Sequence, residues 1–228
     1  MNLPEAQYEL ARALARTGKP IVLVLAEGRP RIVRQVEPLA AAVVGAFLPG
    51  MEGAEALAEV LLGQTNPSGK LPFTYPRHSN SLVPYDHKFT EEVLSNELYG
   101  PYFNPQWEFG HGLSYTSFAY EGLQSSTERL QAGAALEISV RVRNTGSRAG
   151  KEVVQLYVRD DYASITPAVK RLRGFEKIEL QPGEVRTVSF TLRPEDLAFV
   201  GLDNRWVTEP GTFTVFVGGL EKSFEYVP

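Results

Sequence analysis

The sequence predicts a mixed fold, in which a partial α/β unit with a parallel sheet is followed by an all-β sandwich. Helical and strand-like hydrophobic patterns alternate over the first 75 residues, which is typical of an α/β sheet. Short alternating runs separated by turn residues fill the chain from residue 117 onward. With 228 residues the chain has room for two domains. We expect boundaries at 1–76 for the α/β part, 77–116 for a long loop and linker, and 117–228 for the sandwich.

The first predicted element is an amphipathic helix over residues 3–16. Apolar side chains recur at helical spacing along it, and Gly18 marks its end. Asn2 is placed to cap the helix N-terminus with its side chain. The chain is therefore expected to enter a helix almost at once.

Two strands and a second helix follow. Residues 21–25, IVLVL, form a continuous apolar run that is typical of a strand buried on both faces. Residues 41–48 repeat this signal more weakly, and residues 53–62 return to a helical stripe with Gly63 as the C-terminal cap. A sheet with two or three parallel strands wants neighbours on its edges and faces. We therefore interpret this region as the end of a larger α/β domain.

The sandwich is predicted from period-two alternation. Alternating runs occupy residues 136–142, 153–158, 185–192 and 212–217, with turn signals at 144–146, 181–184 and 209–211. Strands at this spacing without a cysteine pair favour an immunoglobulin-like or fibronectin type III-like sandwich.

Composition excludes several classes of function. The formal net charge is -4 without a basic block, so nucleic acid is not an expected partner. The chain contains no cysteine, which removes disulfides and thiolate chemistry. No apolar run approaches the ~18 residues of a membrane span, and no signal-peptide pattern is visible. No cofactor is expected.

The stretch EFGHGLSYT at residues 108–116 invites a catalytic interpretation. It matches neither a phosphate-binding glycine motif nor a GxSxG nucleophile elbow. We expect a tight bend with His111 bonded to nearby main chain. His78, His87 and His111 match no metal-ligand spacing, so no metal site is predicted.

Two side chains of the long loop are candidates for substrate binding, His87 and Trp107. His87 lies in a polar cluster and is expected to make hydrogen bonds at the surface, with ligand contact as the alternative. Trp107 is either a sugar-stacking platform or a packing residue, whereas Trp206 is expected to pack in or at the edge of the sandwich. Glu27 follows the IVLVL strand, where α/β sheets place ligand-binding groups, but its context also fits a turn with an exposed charge.

Several segments together resemble the C-terminal half of family 3 glycoside hydrolases, the β-glucosidase-like enzymes. The most specific are GQTNPSGKLP at residues 63–72 and FGHGLSYT at residues 109–116. The others are LPEAQYEL, GKPIVLVLAEGRP, AAVVGAFLPGMEGAEALAEVL, YFNPQWE, VRNTGSRAGKEVVQLYV, LRGFEKIELQPGE and EPGTFTVFVGG. The resemblance covers nearly the whole chain. It implies a three-domain enzyme with a TIM-like barrel, an α/β sandwich and a fibronectin type III-like domain, and FGHGLSYT would join the last two.

The resemblance also implies retaining hydrolysis by an aspartate nucleophile and a glutamate acid/base, a carboxylate pair ~5 Å apart. In this family the nucleophile belongs to the barrel, which no segment here resembles. The acid/base belongs to an EGxDR-like loop shortly before the LPEAQ helix, and the chain starts at Met1 just after that place. Glu27 and Glu52 do not match either role. We therefore expect a truncated frame, a fragment or a separately encoded half, which is inactive alone and has no assignable catalytic residue.

The favoured hypothesis is the C-terminal portion of an exo-acting β-glycosidase that removes terminal β-linked glucose or xylose from oligosaccharides. A non-catalytic carbohydrate-binding or scaffolding module is the alternative, and a vestigial product is the third possibility. An exposed apolar face is expected where further strands and the barrel would pack, so the expected partner is the N-terminal barrel half or a second copy. The resemblance implies a periplasmic or extracellular location.

Overall fold

The computed structural model describes residues 1–81, 84–89, 95–96, 100–101 and 103–228. They form two compact units, each assembled from separate stretches of the chain. The α/β unit comprises Met1–Thr65, Leu71–Pro84 and Phe103–His111. The sandwich unit comprises Asn66–Lys70, Tyr85–Tyr102 and Gly112–Pro228. The domain boundaries at residues 76 and 116 stay a prediction.

The α/β unit has the predicted order of elements. They are helix α1 (Glu5–Ala15), strand β1 (Val22–Leu25), a 3-10 turn (Glu37–Leu39), strand β2 (Ala42–Gly45) and helix α2 (Gly53–Leu61). The two strands pair in parallel, with Val22 opposite Ala42. The continuous apolar run of β1 therefore forms the buried type of strand that its sequence indicates.

The start of α1 differs from the prediction. Pro4 occupies the N-cap position, and no side chain caps the helix. Asn2 instead forms an isolated parallel bridge with Ile32, and its side-chain oxygen accepts a hydrogen bond from Ser79 Oγ at 3.2 Å. The prediction of an Asn2 cap is wrong because this side chain is engaged by a residue far along the chain.

The core of the α/β unit is small. Its fully buried members are Tyr8, Leu25, Val33, Val36 and Tyr75. The hydroxyl of Tyr8 donates to the carbonyl oxygen of Ile32 at 3.1 Å, which ties α1 to the segment after β1. Much of the unit's apolar surface is left exposed, notably at Leu10, Leu14, Val22, Leu61 and Leu62.

The sandwich unit contains two packed antiparallel sheets. One has the strand order β10-β7-β5, and the other has the order β6-β14-β13-β8-β9, in which only the β14–β6 pair is parallel. The strands are β5 (Phe118–Ser125), β6 (Arg129–Gln131), β7 (Leu136–Asn144), β8 (Gly150–Asp160), β9 (Arg171–Leu180), β10 (Val185–Leu192), β13 (Gly211–Val217) and β14 (Leu220–Val227). Short strands β3 (Ser95–Asn96) and β4 (Gly100–Pro101) pair with each other, as do β11 (Phe199–Val200) and β12 (Trp206–Val207).

The sandwich core follows strict alternation. In β7, Leu136, Ile138, Val140 and Val142 are buried, and in the other sheet Leu156 of β8 is buried among residues of β9 and β13. Side chains from both sheets meet in one core, as in aligned β-sandwiches. The predicted fold class, a partial α/β unit and an immunoglobulin-like or fibronectin type III-like sandwich, is confirmed.

The helices were also compared with the requirements of a membrane span. Within the described ranges, none combines the length and the hydropathy needed to cross a bilayer.

Candidate functional site

Residues 71–75 and 106–111 of the α/β unit run antiparallel and hold the candidate Trp107 in place. The N–H of Leu71 donates to the carbonyl of His111, and the N–H of Gly110 donates back to Leu71, both at 2.8 Å. Tyr75 N–H donates to the carbonyl of Trp107, also at 2.8 Å. The glycine-histidine stretch therefore bends back along an extended segment, and Gly110 supplies the positive φ of 81° that the bend requires.

Trp107 both packs and lines a cleft. Its ring meets Tyr75 edge to face at 4.9 Å between centroids, and the His111 ring lies nearly parallel to it at 6.5 Å. Residues 103–111 line an open cleft of about 590 Å³. The buried Oε1 of Gln106 has no hydrogen-bond partner among the described residues. The packing role of Trp107 is established by these contacts, whereas substrate contact stays a prediction.

Glu27 belongs to a hydrogen-bonded turn. Its Oε1 accepts a hydrogen bond from Tyr75 Oη at 2.8 Å and one from the N–H of Arg31 at 3.4 Å. Tyr75 Oη also lies 2.8 Å from the carbonyl oxygen of Arg31. Burial and the neighbouring Glu27 carboxylate raise the pKa of Tyr75, so this tyrosine is a hydrogen-bond donor at physiological pH. Glu27 thus serves the turn, the second of the two roles that its sequence context left open.

His87 lies on the sandwich unit and is buried, with 4% of its surface exposed. Its carbonyl accepts from Val169 N–H at 2.8 Å, and its Nδ1 lies 3.2 Å from the carbonyl oxygen of Tyr85. An ion pair between Asp86 and Arg171 at 3.6 Å fastens the same loop. The expected surface position of His87 is wrong because the loop docks against the segment before β9. Its role in substrate binding stays a prediction.

The two most specific sequence motifs meet in the sandwich unit. Asn66, from GQTNPSGKLP, accepts hydrogen bonds at its Oδ1 from Ser114 Oγ at 2.9 Å and from Tyr115 N–H at 2.8 Å. Its Nδ2 donates to the carbonyl of Ala149 at 3.1 Å. One amide side chain therefore links FGHGLSYT to the start of β8.

A buried ion pair completes this junction. Lys70 Nζ lies 3.3 Å from Glu152 Oε1 and donates to the carbonyl of Gly112 at 2.8 Å. Glu152 also accepts from Tyr120 Oη at 3.0 Å, and burial followed by this carboxylate raises the pKa of Tyr120. The sequence did not lead us to this network, although strict alternation places Glu152 on the inward face of β8 beside Val154.

Trp206 departs from its prediction. It is 72% exposed on the hairpin formed by β11 and β12, opposite Val200. Gly201 N–H donates to the carbonyl of Arg205 at 2.9 Å, which closes the hairpin and leaves the indole at the surface. The expectation of core or edge packing is wrong because the two-residue strands are too short to bring the ring under the sandwich.

The described carboxylates were also considered as catalytic or metal-binding groups. Asp161 beside the end of β8 is engaged by Arg159 Nε at 2.7 Å and by Thr214 Oγ1 at 3.0 Å. Among the residues that the structure describes, no three His, Asp or Glu side chains gather as a metal ion requires. The described contacts thus give Glu27, Glu152 and Asp161 structural roles.

Comparison with known protein families gives two matches along the chain. Residues 1–115 match the family described as the glycosyl hydrolase family 3 C-terminal domain. Residues 152–221 match the fibronectin type III-like domain.

Curated and solved proteins give the same result. The chain is 41% identical over 227 residues to the periplasmic beta-glucosidase of Salmonella typhimurium, covering 96% of this chain and 30% of that protein. It is 38% identical to a beta-xylosidase of Formosa agariphila, covering 98% of this chain and 31% of that protein. The crystal structure of beta-glucosidase from Listeria innocua in complex with isofagomine superposes with a TM-score of 0.91 at 36% identity, over 99% of this chain and 33% of that one. The chain therefore spans about a third of the length of the proteins it matches.

Proposed function

Because the chain belongs to glycosyl hydrolase family 3, as its C-terminal domain followed by a fibronectin type III-like domain, we propose that it acts as the C-terminal portion of a retaining exo-β-glycosidase. The proposed reaction removes terminal β-linked glucose or xylose from oligosaccharides. The names of the Salmonella glucosidase and the Formosa xylosidase support these two sugars. The Salmonella name also supports a periplasmic location.

The observation that carries this proposal is an apolar groove on the α/β unit. Helix α1 and strand β1 line an open groove of about 990 Å³, in which Leu10, Leu14 and Val22 are exposed. A contiguous apolar surface of this kind is typical of an interface. We propose that it receives the N-terminal barrel half, from which the catalytic carboxylates come, and that the 228 residues are inactive alone.

Complementation tests the proposal. The purified chain is assayed for hydrolysis of an aryl β-glucoside alone and after mixing with the N-terminal portion of a family 3 β-glucosidase. We expect no turnover by the chain alone and turnover by the mixture. Turnover by the chain alone, surviving repurification, contradicts the proposed absence of a catalytic pair.

Matched leucine substitutions locate the interface. Leu14→Asp places a charge in the groove and is expected to lower the activity of the mixture at least about tenfold, since burying an unpaired carboxylate is costly. Leu113→Asp introduces the same charge at an exposed leucine of the sandwich unit and is the control. Equal losses in the two variants would contradict the groove as the interface.

Trp107 and His87 are the proposed substrate-side residues, on the aglycone side. The cleft of residues 103–111 supports Trp107, because an indole beside polar side chains suits a sugar ring. In the complemented enzyme, Trp107→Ala is expected to raise KM for longer glucosides more than for the aryl glucoside. His87→Ala is the parallel test, and unchanged KM values for both would exclude these roles.

A second candidate is a non-catalytic carbohydrate-binding or scaffolding module. It is favoured by the exposed aromatic side chains of the sandwich unit, Tyr162, Phe175 and Trp206. Co-sedimentation with insoluble cellulose tests it. Binding that is lost in Trp206→Ala supports this candidate, and equal binding by the variant excludes the hairpin as the contact.

A further inference from the structure

One end of the sandwich unit contains a small polar cleft. It has a volume of about 40 Å³ and lies between the loop that follows β8 and the residues around β11. Its walls are largely apolar, with Ile165, Pro167, Leu197 and Phe199 among them. Charged side chains also line it, which is unusual for a cavity at the end of a hydrophobic core.

Asp160 enters this cleft because of the alternation of β8. Val154, Leu156 and Val158 face the core, and Asp160 follows at the same spacing. Its Oδ1 accepts a hydrogen bond from the N–H of Tyr162 at 3.2 Å. Its Oδ2 is buried and has no hydrogen-bond partner in the described part of the chain. Burial raises the pKa of this carboxyl to about 6, as expected for an acceptor removed from water.

Arg173 reaches the same cleft through a β-bulge. The β8–β9 pairing passes from Leu156 opposite Gly174 to Tyr157 opposite Leu172, so that Arg173 is the extra residue. Bulges turn a side chain away from its regular direction. Arg173 Nη2 donates to the carbonyl of Ala198 at 3.3 Å, while its Nε is buried without a partner among the described residues.

The unmet groups define the chemistry of a ligand. Asp160 Oδ2 needs a donor, and Arg173 Nε needs an acceptor. A simple anion meets the Asp160 carboxylate, and a simple cation meets Arg171, Arg173 and Lys88, which also line the cleft. A hydroxyl is both donor and acceptor, so a neutral molecule with several hydroxyls satisfies both walls.

We propose that this cleft is a binding site for the hydroxyl-bearing end of a neutral polyol, with Asp160 and Arg173 as its hydrogen-bonding residues. The volume admits a few non-hydrogen atoms, such as one hydroxymethyl arm, and the rest of the ligand stays at the rim. The choice of a saccharide as the polyol rests on the proposed function. Binding itself does not depend on hydrolysis.

The test is an NMR titration of the complete ¹⁵N-labelled chain with cellobiose, observing the Nε–Hε signal of Arg173. This signal is assigned by its loss in Arg173→Lys, which keeps the charge but removes the donor. We expect a saturable shift, with affinity reduced at least about tenfold in Asp160→Ala and in Arg173→Lys, where backbone amide signals around the cleft report binding. Asp203→Ala, an exposed carboxylate outside the cleft, is the matched control and is expected to bind as the unmodified chain does.

Each other outcome overturns the proposal. Inorganic phosphate that shifts the Arg173 signal while cellobiose does not would identify an anion site. A signal unmoved by both would mean that the cleft holds water alone. If Asp160→Ala does not fold, Arg173→Lys decides. Failure here is separate from failure of the proposed function, which is measured as turnover by the complemented enzyme.

Discussion

The two units of the chain treat their apolar side chains in opposite ways. In the sandwich unit, the alternating residues of both sheets bury one another, and Leu130, Leu136 and Leu156 are fully enclosed. In the α/β unit, two parallel strands and two helices leave Leu10, Leu14 and other apolar side chains exposed. A sandwich can complete a core from its own strands, whereas a parallel sheet needs helices on both faces.

This difference separates stability from function in the chain. Substitutions in the sandwich core test whether the unit is closed on itself. Substitutions at the exposed leucines of the α/β unit test whether that surface is used only in a larger assembly. Three substitutions, ordered by expected size, can break or sharpen the distinction.

Leu156→Ala should give the largest effect. Leu156 is 0% exposed in the sandwich core, and its truncation leaves a cavity, so we expect a loss of about 3 kcal/mol in the free energy of unfolding. The melting temperature of the sandwich transition should fall by about 6–12 °C in scanning calorimetry. Leu62→Ala, at a leucine that is 74% exposed in the α/β unit, should stay within about 0.5 kcal/mol. Similar losses in both would remove the contrast between the units.

Gly112→Ala should give an intermediate effect, and it tests whether the sandwich unit depends on residues 66–70. A Cβ at Gly112 would overlap the carbonyl oxygen of Gly69, so backbone must move, at a cost of about 2 kcal/mol. Gly69→Ala is the matched control because a Cβ there meets nothing within 4 Å. Urea unfolding followed by circular dichroism measures both. Indistinguishable midpoints would show that this contact does not support the sandwich.

Asp160→Asn should give the smallest effect, and its sign depends on pH. The folded pKa of Asp160, about 6, exceeds its ordinary value of 3.8. The contribution of this group to stability is therefore fully present below pH 3.8 and is lost as the pH rises through 6. At pH 7.5 the variant should be more stable than the unmodified chain by about 1–2 kcal/mol, with the advantage shrinking towards pH 4. Urea midpoints at both pH values measure this, and Asp203→Asn, an exposed carboxylate, is the control. An equal gain at both pH values would contradict the burial of an ionised Asp160.

The sequence predicted the elements whose signals are local. The IVLVL run and the alternation around Ile138 identify β1 and β7 without reference to the rest of the chain. Strand β9 was not recognised, because a bulge at Arg173 and a glycine at 174 interrupt its alternation. Trp206 was misplaced because the length of a strand, unlike its apolar character, depends on the neighbours it finds.

The candidate sites were harder to predict, since their partners are far apart in sequence. Glu27 and Tyr75 are separated by 48 residues, and no local pattern links them. The motifs containing Asn66 and Ser114 were each recognised as specific, but their hydrogen bond was not foreseen. Asp160 could have been found from its place in the inward stripe of β8.

The bond from Asn66 to Ala149 also sets a schedule for biosynthesis. The two residues are 83 positions apart, so at ribosomal speeds of roughly 5–20 residues per second the amide is made about 4–17 s before its acceptor. The first piece of the sandwich unit therefore leaves the ribosome long before the strand that receives it. Final closure of this unit is a late event on the nascent chain, and translation rate between these positions governs how long the early segment waits.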